Sequence, residues 1–147
     1  MVTAELLGRY PQFSQLSPAL LERLARIAEE HVVPAGETIF TEPDPADYLY
    51  LIVRGAVDLA YELGDGEWRV VDTLVDGELM GWCAFVEPYR WAARGTAAKE
   101  THLIRLAAGP LRRFCEEDHA LGYQLLHLIA QLLSDRVRNA WTQVAAA

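Results

Sequence analysis

Between His31 and Ala107 the chain is cut into short apolar runs by turn residues at close, regular intervals, and few folds accept that punctuation. Val32-Val33 meets a turn at Pro34-Ala35-Gly36, Thr38 to Phe40 meets one at Glu42 to Pro45, and Tyr48 to Val53 ends at Gly55. Ala56 to Leu63 and Trp68 to Leu74 are separated by Gly64-Asp65-Gly66, and Thr101 to Leu106 completes the set. Short runs rich in β-branched and aromatic residues read as strands, and a glycine turn between two of them as a hairpin. No strand–helix alternation occurs in this zone, which argues against a doubly wound parallel sheet. The pattern predicts a sandwich or barrel of jelly-roll character.

The flanks have a different period. Leu16, Leu20, Leu21, Leu24 and Ile27 recur at threes and fours, behind Ser17-Pro18, a capping residue followed by proline at the first helical position. Beyond Gly109 the helical period returns: Pro110 to Glu116 predicts a short helix, and Asp118 can cap a long one reaching about Thr142. That long segment carries two apolar stripes, Leu121, Leu125, Leu128 and Leu132 on one, and Leu126, Ile129, Leu133, Val137, Ala140 and Val144 on the other. One stripe suffices to pack on a barrel. Two predict either a single wide buried face or a second partner, of which a twin helix from another copy is the simplest. The expected class is therefore α+β, mainly β: a jelly-roll barrel of about eight strands with an N-terminal helical part (1–30), a barrel (31–107) and C-terminal helices (109–144), forming one domain.

Composition narrows the function. A chain of 147 residues, 52% apolar and 23% charged, can bury a core, and nothing in it suggests disorder. Its net charge is −8, from 13 basic and 21 acidic residues, so nucleic-acid binding by this chain alone is not expected. The paired arginines Arg112/Arg113 and Arg136/Arg138 read as solvated helix faces. No run approaches the roughly 20 apolar residues that span a bilayer, and no secretory leader is visible, so no membrane partner is expected and the cytoplasm is the expected location. Cys83 and Cys115 stand alone and read as small apolar residues in a reducing compartment. His31, His102, His119 and His127 show no metal spacing, and no nucleophile elbow or Ser/His/Asp grouping occurs. Neither an enzyme nor a resident cofactor is expected.

The chemistry concentrates at 76–94, Asp76-Gly-Glu-Leu-Met-Gly-Trp-Cys-Ala-Phe-Val-Glu-Pro-Tyr-Arg-Trp-Ala-Ala-Arg94. A glycine turn is followed by a second glycine opening a short helical run, with arginines just beyond. Freed backbone N–H groups at such a start, together with an arginine, make an anion pocket.

Three successive segments, Pro34 to Phe40, Asp44 to Gly55 and Asp76 to Gly81, resemble the signatures of the cyclic-nucleotide-binding fold found in catabolite-activator-type regulators, protein kinase A regulatory subunits and cyclic-nucleotide-gated channels. The resemblance covers roughly Phe13 to Asn139. It implies a jelly roll whose phosphate-binding cassette holds a small anionic ligand, cAMP or cGMP in the family. The implied ligand-binding residues are Gly77, Glu78, Leu79, Met80, Gly81, Trp82, Cys83, Ala84, Arg90, Trp91 and Ala92. Family regulators also carry a helix-turn-helix after the long helix, which these residues do not include.

Two positions depart from the family. Trp82 stands where its ribose-binding glutamate belongs, and an indole offers one donor and no acceptor. Losing a charged hydrogen-bond partner costs on the order of 1.5–3 kcal/mol. The phosphate arginine is Arg90 when counted forward from Pro88, but counted back from the next strand its place falls on Trp91; Arg94 is the third candidate, which strand alternation would send to solvent. Pro43 replaces a usual glycine, with little consequence for a turn. Two readings stay open: a ligand sensor that signals through the C-terminal helix to which a homodimer would pair, and an interaction or dimerisation module that has kept the fold and lost the nucleotide. A void beside Arg90 would favour the first, and indole filling it the second.

Overall fold

A computed structural model describes the whole chain, Met1–Ala147. Helices α1 (Ala4–Gly8) and α2 (Pro18–Ile27) precede eight strands: β1 (Ala28–Val33), β2 (Thr38–Phe40), β3 (Tyr48–Arg54), β4 (Ala56–Glu62), β5 (Trp68–Val75), β6 (Leu79–Met80), β7 (Arg94–Ala97) and β8 (Thr101–Ala107). A 3-10 turn, Trp82–Phe85, lies between β6 and β7, and α3 (Ala108–Glu117) and α4 (His119–Ala146) complete the chain. The strands form two antiparallel four-stranded sheets, ordered β1-β8-β3-β6 and β2-β7-β4-β5. This is the expected jelly roll, mainly β with helices at both ends.

The first sheet is covered on both faces, which explains the unbroken apolar run of β3. Leu49 and Leu51 of β3, Leu79 of β6, and Ile104 and Leu106 of β8 face the helices, where they join Leu20, Leu24, Leu125 and Ile129. Their alternates, Tyr50, Ile52, Met80 and Leu103, face the barrel interior with Phe40, Val57 and Leu74 of the second sheet. A two-residue side-chain period between two apolar layers makes each position from Leu49 to Ile52 of β3 a buried one.

Local signals place most boundaries. The Ser17 hydroxyl accepts from the Leu20 N–H with Pro18 in the first turn, and Asp118 accepts from the N–H groups of Ala120 and Leu121. Two boundaries move. The N-terminal helix ends at Ile27, because Ala28, Glu29 and Glu30 pair with Leu106, Arg105 and Ile104 of β8. Strand pairing with a buried neighbour outweighs the modest helix preference of these residues. The last helix runs to Ala146, past the expected Thr142. Its N-terminal half is stitched to α2, since Gln124 Oε1 accepts the Ser17 backbone N–H at 2.8 Å.

The two stripes of α4 separate. Leu121, Leu125, Leu128 and Leu132 are buried, and Ile129, expected on the other stripe, joins them. Leu126, Val137 and Val144 are exposed, as are Tyr123 and Trp141.

Candidate functional site

The segment between β6 and β7 is built around Gly81. Its φ of +112° favours glycine, and a Cβ there would lie 2.7 Å from the Tyr48 carbonyl oxygen. From this point the chain enters a single 3-10 turn, Trp82–Phe85, in which Ala84 N–H bonds the Gly81 carbonyl at 3.0 Å. An arginine of α3 ties the far end of the turn down: Arg112 donates to the Ala84 carbonyl at 2.6 Å while its guanidinium lies 4.5 Å from the centre of the Tyr89 ring. Nothing in the sequence pattern marked Arg112 for this task.

Beside the turn is a cavity of about 40 Å³. At roughly 10–15 Å³ per water it holds a few solvent molecules, far below the ~300–1,000 Å³ of a drug-sized ligand site. Of the residues expected to bind ligand, Leu79, Met80, Gly81, Trp82, Cys83, Trp91 and Ala92 line it. Gly77, Glu78, Ala84 and Arg90 do not. Gly77 N–H is engaged by the Ile52 carbonyl at 2.7 Å, and Glu78 turns away, one carboxylate oxygen accepting Val75 N–H at 2.7 Å.

Trp91 occupies the centre of the arrangement. Its backbone N–H bonds the Asp44 carbonyl, and its buried ring stacks on Phe40 with centroids 3.7 Å apart and planes 12° apart; Tyr50 follows at 6.1 Å. Burial pushes the Tyr50 hydroxyl up to about 12, partly opposed by the nearby Arg105 charge. Burial likewise raises the Cys83 thiol, against a weaker lowering by a backbone hydrogen bond with Ala92. Every one of these environments disfavours charge.

The arginines lie elsewhere. Arg90 is exposed and donates to the Pro43 carbonyl at 3.0 Å, its backbone paired with Pro45. Arg94 lies over the Trp68 ring at 4.1 Å, on the face of β7 opposite the buried Gly95 and Ala97. The guanidinium that does line the cavity is Arg136, from α4. It is not on a solvated face, as the Arg136/Arg138 pair suggested. It bonds Asp72 of β5 at 2.6 Å and Glu78 at 3.4 Å, and its Nε is buried without a partner. Partial burial and charged partners on the barrel overrule the helical spacing, and no local pattern could have paired residue 136 with residue 72. The trio carries one positive and two negative charges, so the single cation at the cavity is already more than neutralised.

The family model for the cyclic nucleotide-binding domain matches residues 30–118, across all eight strands from within β1 and through the 3-10 turn. The chain belongs to the cyclic nucleotide-binding domain family. A crystal structure of a cyclic nucleotide-binding protein from Geobacter metallireducens is similar at a TM-score of 0.85 and 30% identity, covering 93% of this chain and 99% of that one. In sequence, the chain is 29% identical over 133 residues to the cyclic AMP receptor protein of Thermus thermophilus and 24% identical over 129 residues to a CRP-like cAMP-activated global transcriptional regulator of Mycobacterium tuberculosis. Each alignment covers 88% of this chain and spans 58% of the regulator. No helix is long and apolar enough to cross a membrane. Within this family's cassette the chain therefore sets two tryptophans against a cavity that is small and apolar.

Proposed function

We propose that this chain is a regulatory module of the cyclic nucleotide-binding family whose cassette is closed to cyclic nucleotides, and that it acts in the cytoplasm through α4, by pairing with a second copy. The observation that carries this reading is the Trp91 ring stacked at 3.7 Å on Phe40, at the position where counting back from β7 puts the family's phosphate arginine, while Arg90, the forward candidate, is exposed and bonded to the Pro43 carbonyl. Trp82 at the ribose position, the 40 Å³ cavity and the ion-paired Arg136 support it. A phosphate entering there would find no unspent cation, because Arg136 is committed to Asp72 and Glu78. The exposed apolar stripe on α4 supports self-association.

A second reading, a sensor of a small ligand, is favoured by one observation: α4 itself supplies Arg136 to the cavity wall, so a molecule that displaced this side chain would act directly on the helix. Occupancy shifts the helix only to the extent that the ligand binds its two arrangements unequally.

Titration calorimetry with cAMP and cGMP tests the first reading. The expected result is no saturable heat with the natural chain, and saturable cAMP binding by a Trp82→Glu, Trp91→Arg double variant, which restores both family ligands. Saturable binding of either nucleotide by the natural chain sinks the closed-cassette reading.

A further inference from the structure

A larger concavity adjoins the cassette cavity, between the Pro11–Leu16 segment and α4, with a volume of about 410 Å³; Leu79, Leu132 and Arg136 form a wall common to the two. That falls within the ~300–1,000 Å³ typical of small-molecule sites. The cassette cavity is apolar, whereas eight of the fourteen residues around this groove are polar, four of them glutamines, set in a surface that is largely apolar. Two of those amides are held in place. Gln124 Oε1 accepts the Ser17 N–H at 2.8 Å, so its NH2 faces outward as a donor; Gln131 gives one N–H to Asp135 at 3.3 Å, which leaves its Oε1 as an acceptor and its second N–H as a donor. They stand seven residues apart on one helix, roughly 10 Å along its axis at about 1.5 Å per residue.

Beside them lies an aromatic surface. Tyr123 and His127 are both exposed, with ring planes 12° apart and centroids 6.2 Å apart. Exposed, roughly parallel rings beside oriented amides suit a flat heterocycle: the rings offer a stacking face, and the amides read donors and acceptors on its edge. Charge selects further. Glu78 and Asp135 line the groove, and Arg136, its one guanidinium, is committed to Asp72 and Glu78. An attached phosphate would be repelled.

We propose that this groove is a second ligand site, distinct from the cassette cavity, for an uncharged nucleoside-sized molecule carrying a planar, hydrogen-bonding heterocycle. The groove's amides and the proposed pairing stripe lie on different sides of α4: at about 100° per residue, Gln124, Gln131 and Asp135 lie roughly 150° round the helix from Leu126, Val137 and Val144, with Tyr123 and His127 between the two.

The test uses the full 147-residue chain and adenosine as the probe, with AMP and a single-stranded oligoadenylate as comparison ligands, followed by calorimetry. Adenosine should bind saturably, AMP at least ten-fold more weakly, and the oligonucleotide no better than AMP. Tyr123→Ala and Gln131→Ala, both at exposed positions, should each weaken adenosine at least five-fold while leaving the melting temperature unchanged. Trp91→Phe, which alters only the cassette, should leave adenosine affinity unchanged. The proposal is overturned if adenosine gives no saturable binding, if AMP or the oligonucleotide binds as tightly, if the groove variants change nothing, or if Trp91→Phe abolishes binding. Cyclic-nucleotide binding in the cassette, which would refute the proposed function, leaves this result untouched.

Discussion

Arg136 lies at the boundary between the barrel and the helix, and its surroundings fix what its loss would do. Asp72 and Glu78 retain 25% and 33% of their side-chain exposure and Arg136 retains 20%. Breaking a fully buried pair costs about 3–5 kcal/mol, and discounting for this partial exposure leaves about 2 kcal/mol. Arg136→Met should therefore lower stability in urea by about that amount, and adding Asp72→Asn should recover part of it, because one uncompensated carboxylate is then gone. No recovery would show that the arginine matters through its packing alone. At this scale the sequence was informative about glycines and tryptophans and uninformative about arginines. Gly81 could be recognised because a turn of that geometry tolerates almost no other residue, and Trp82 because it breaks a spaced motif. Which arginine reaches the cavity depends on the packing of residues 136, 72 and 78, and spacing within 76–94 carries no information about that.

The elements were more legible than the site. Strand runs and helix caps are local, so Ser17-Pro18, Asp118 and the Gly64–Gly66 hairpin could be read from a few residues each. The failures came where pairing partners are distant: Ala28–Glu30 belong to β1 only because β8 lies beside them. For α4, counting two stripes was sound, but assigning Ile129 to the outer one was not, since a helix on a curved barrel buries a wider arc than a flat count allows. The outer stripe makes a prediction of its own. Val137→Asp with Val144→Asp should convert a dimer to a monomer in light scattering with little change in melting temperature, because both side chains are exposed within one copy. A natural chain that is monomeric at the highest concentration reached would remove the pairing proposal.

For the whole molecule, the ionisable groups that are clearly perturbed all move the same way. Tyr10, Tyr50, Tyr61, Cys83 and Cys115 are raised, chiefly by burial. An acid whose folded value lies above its unfolded one keeps its proton longer when folded, so the unfolded chain binds fewer protons in between and stability falls as pH rises. The contribution is intact below the ordinary cysteine value of 9.0 and tyrosine value of 10.0, and for Tyr50 it is lost progressively up to about 12. Melting temperature should decline above about pH 9 and fall more steeply above 10, and Tyr50→Phe should flatten the upper part of that decline. A profile unchanged by that substitution would place the loss in other groups.

The Ser17–Gln124 hydrogen bond joins the first residues of α2 to the second turn of α4. The N-terminal helices and the long C-terminal helix are thereby one mechanical body resting on the barrel, not two arms moving separately. A pull delivered at either flank of the barrel would be felt at the other without passing through a strand, and the cassette would register it through Arg136, through Leu132 on the cavity wall and through Arg112 at the 3-10 turn.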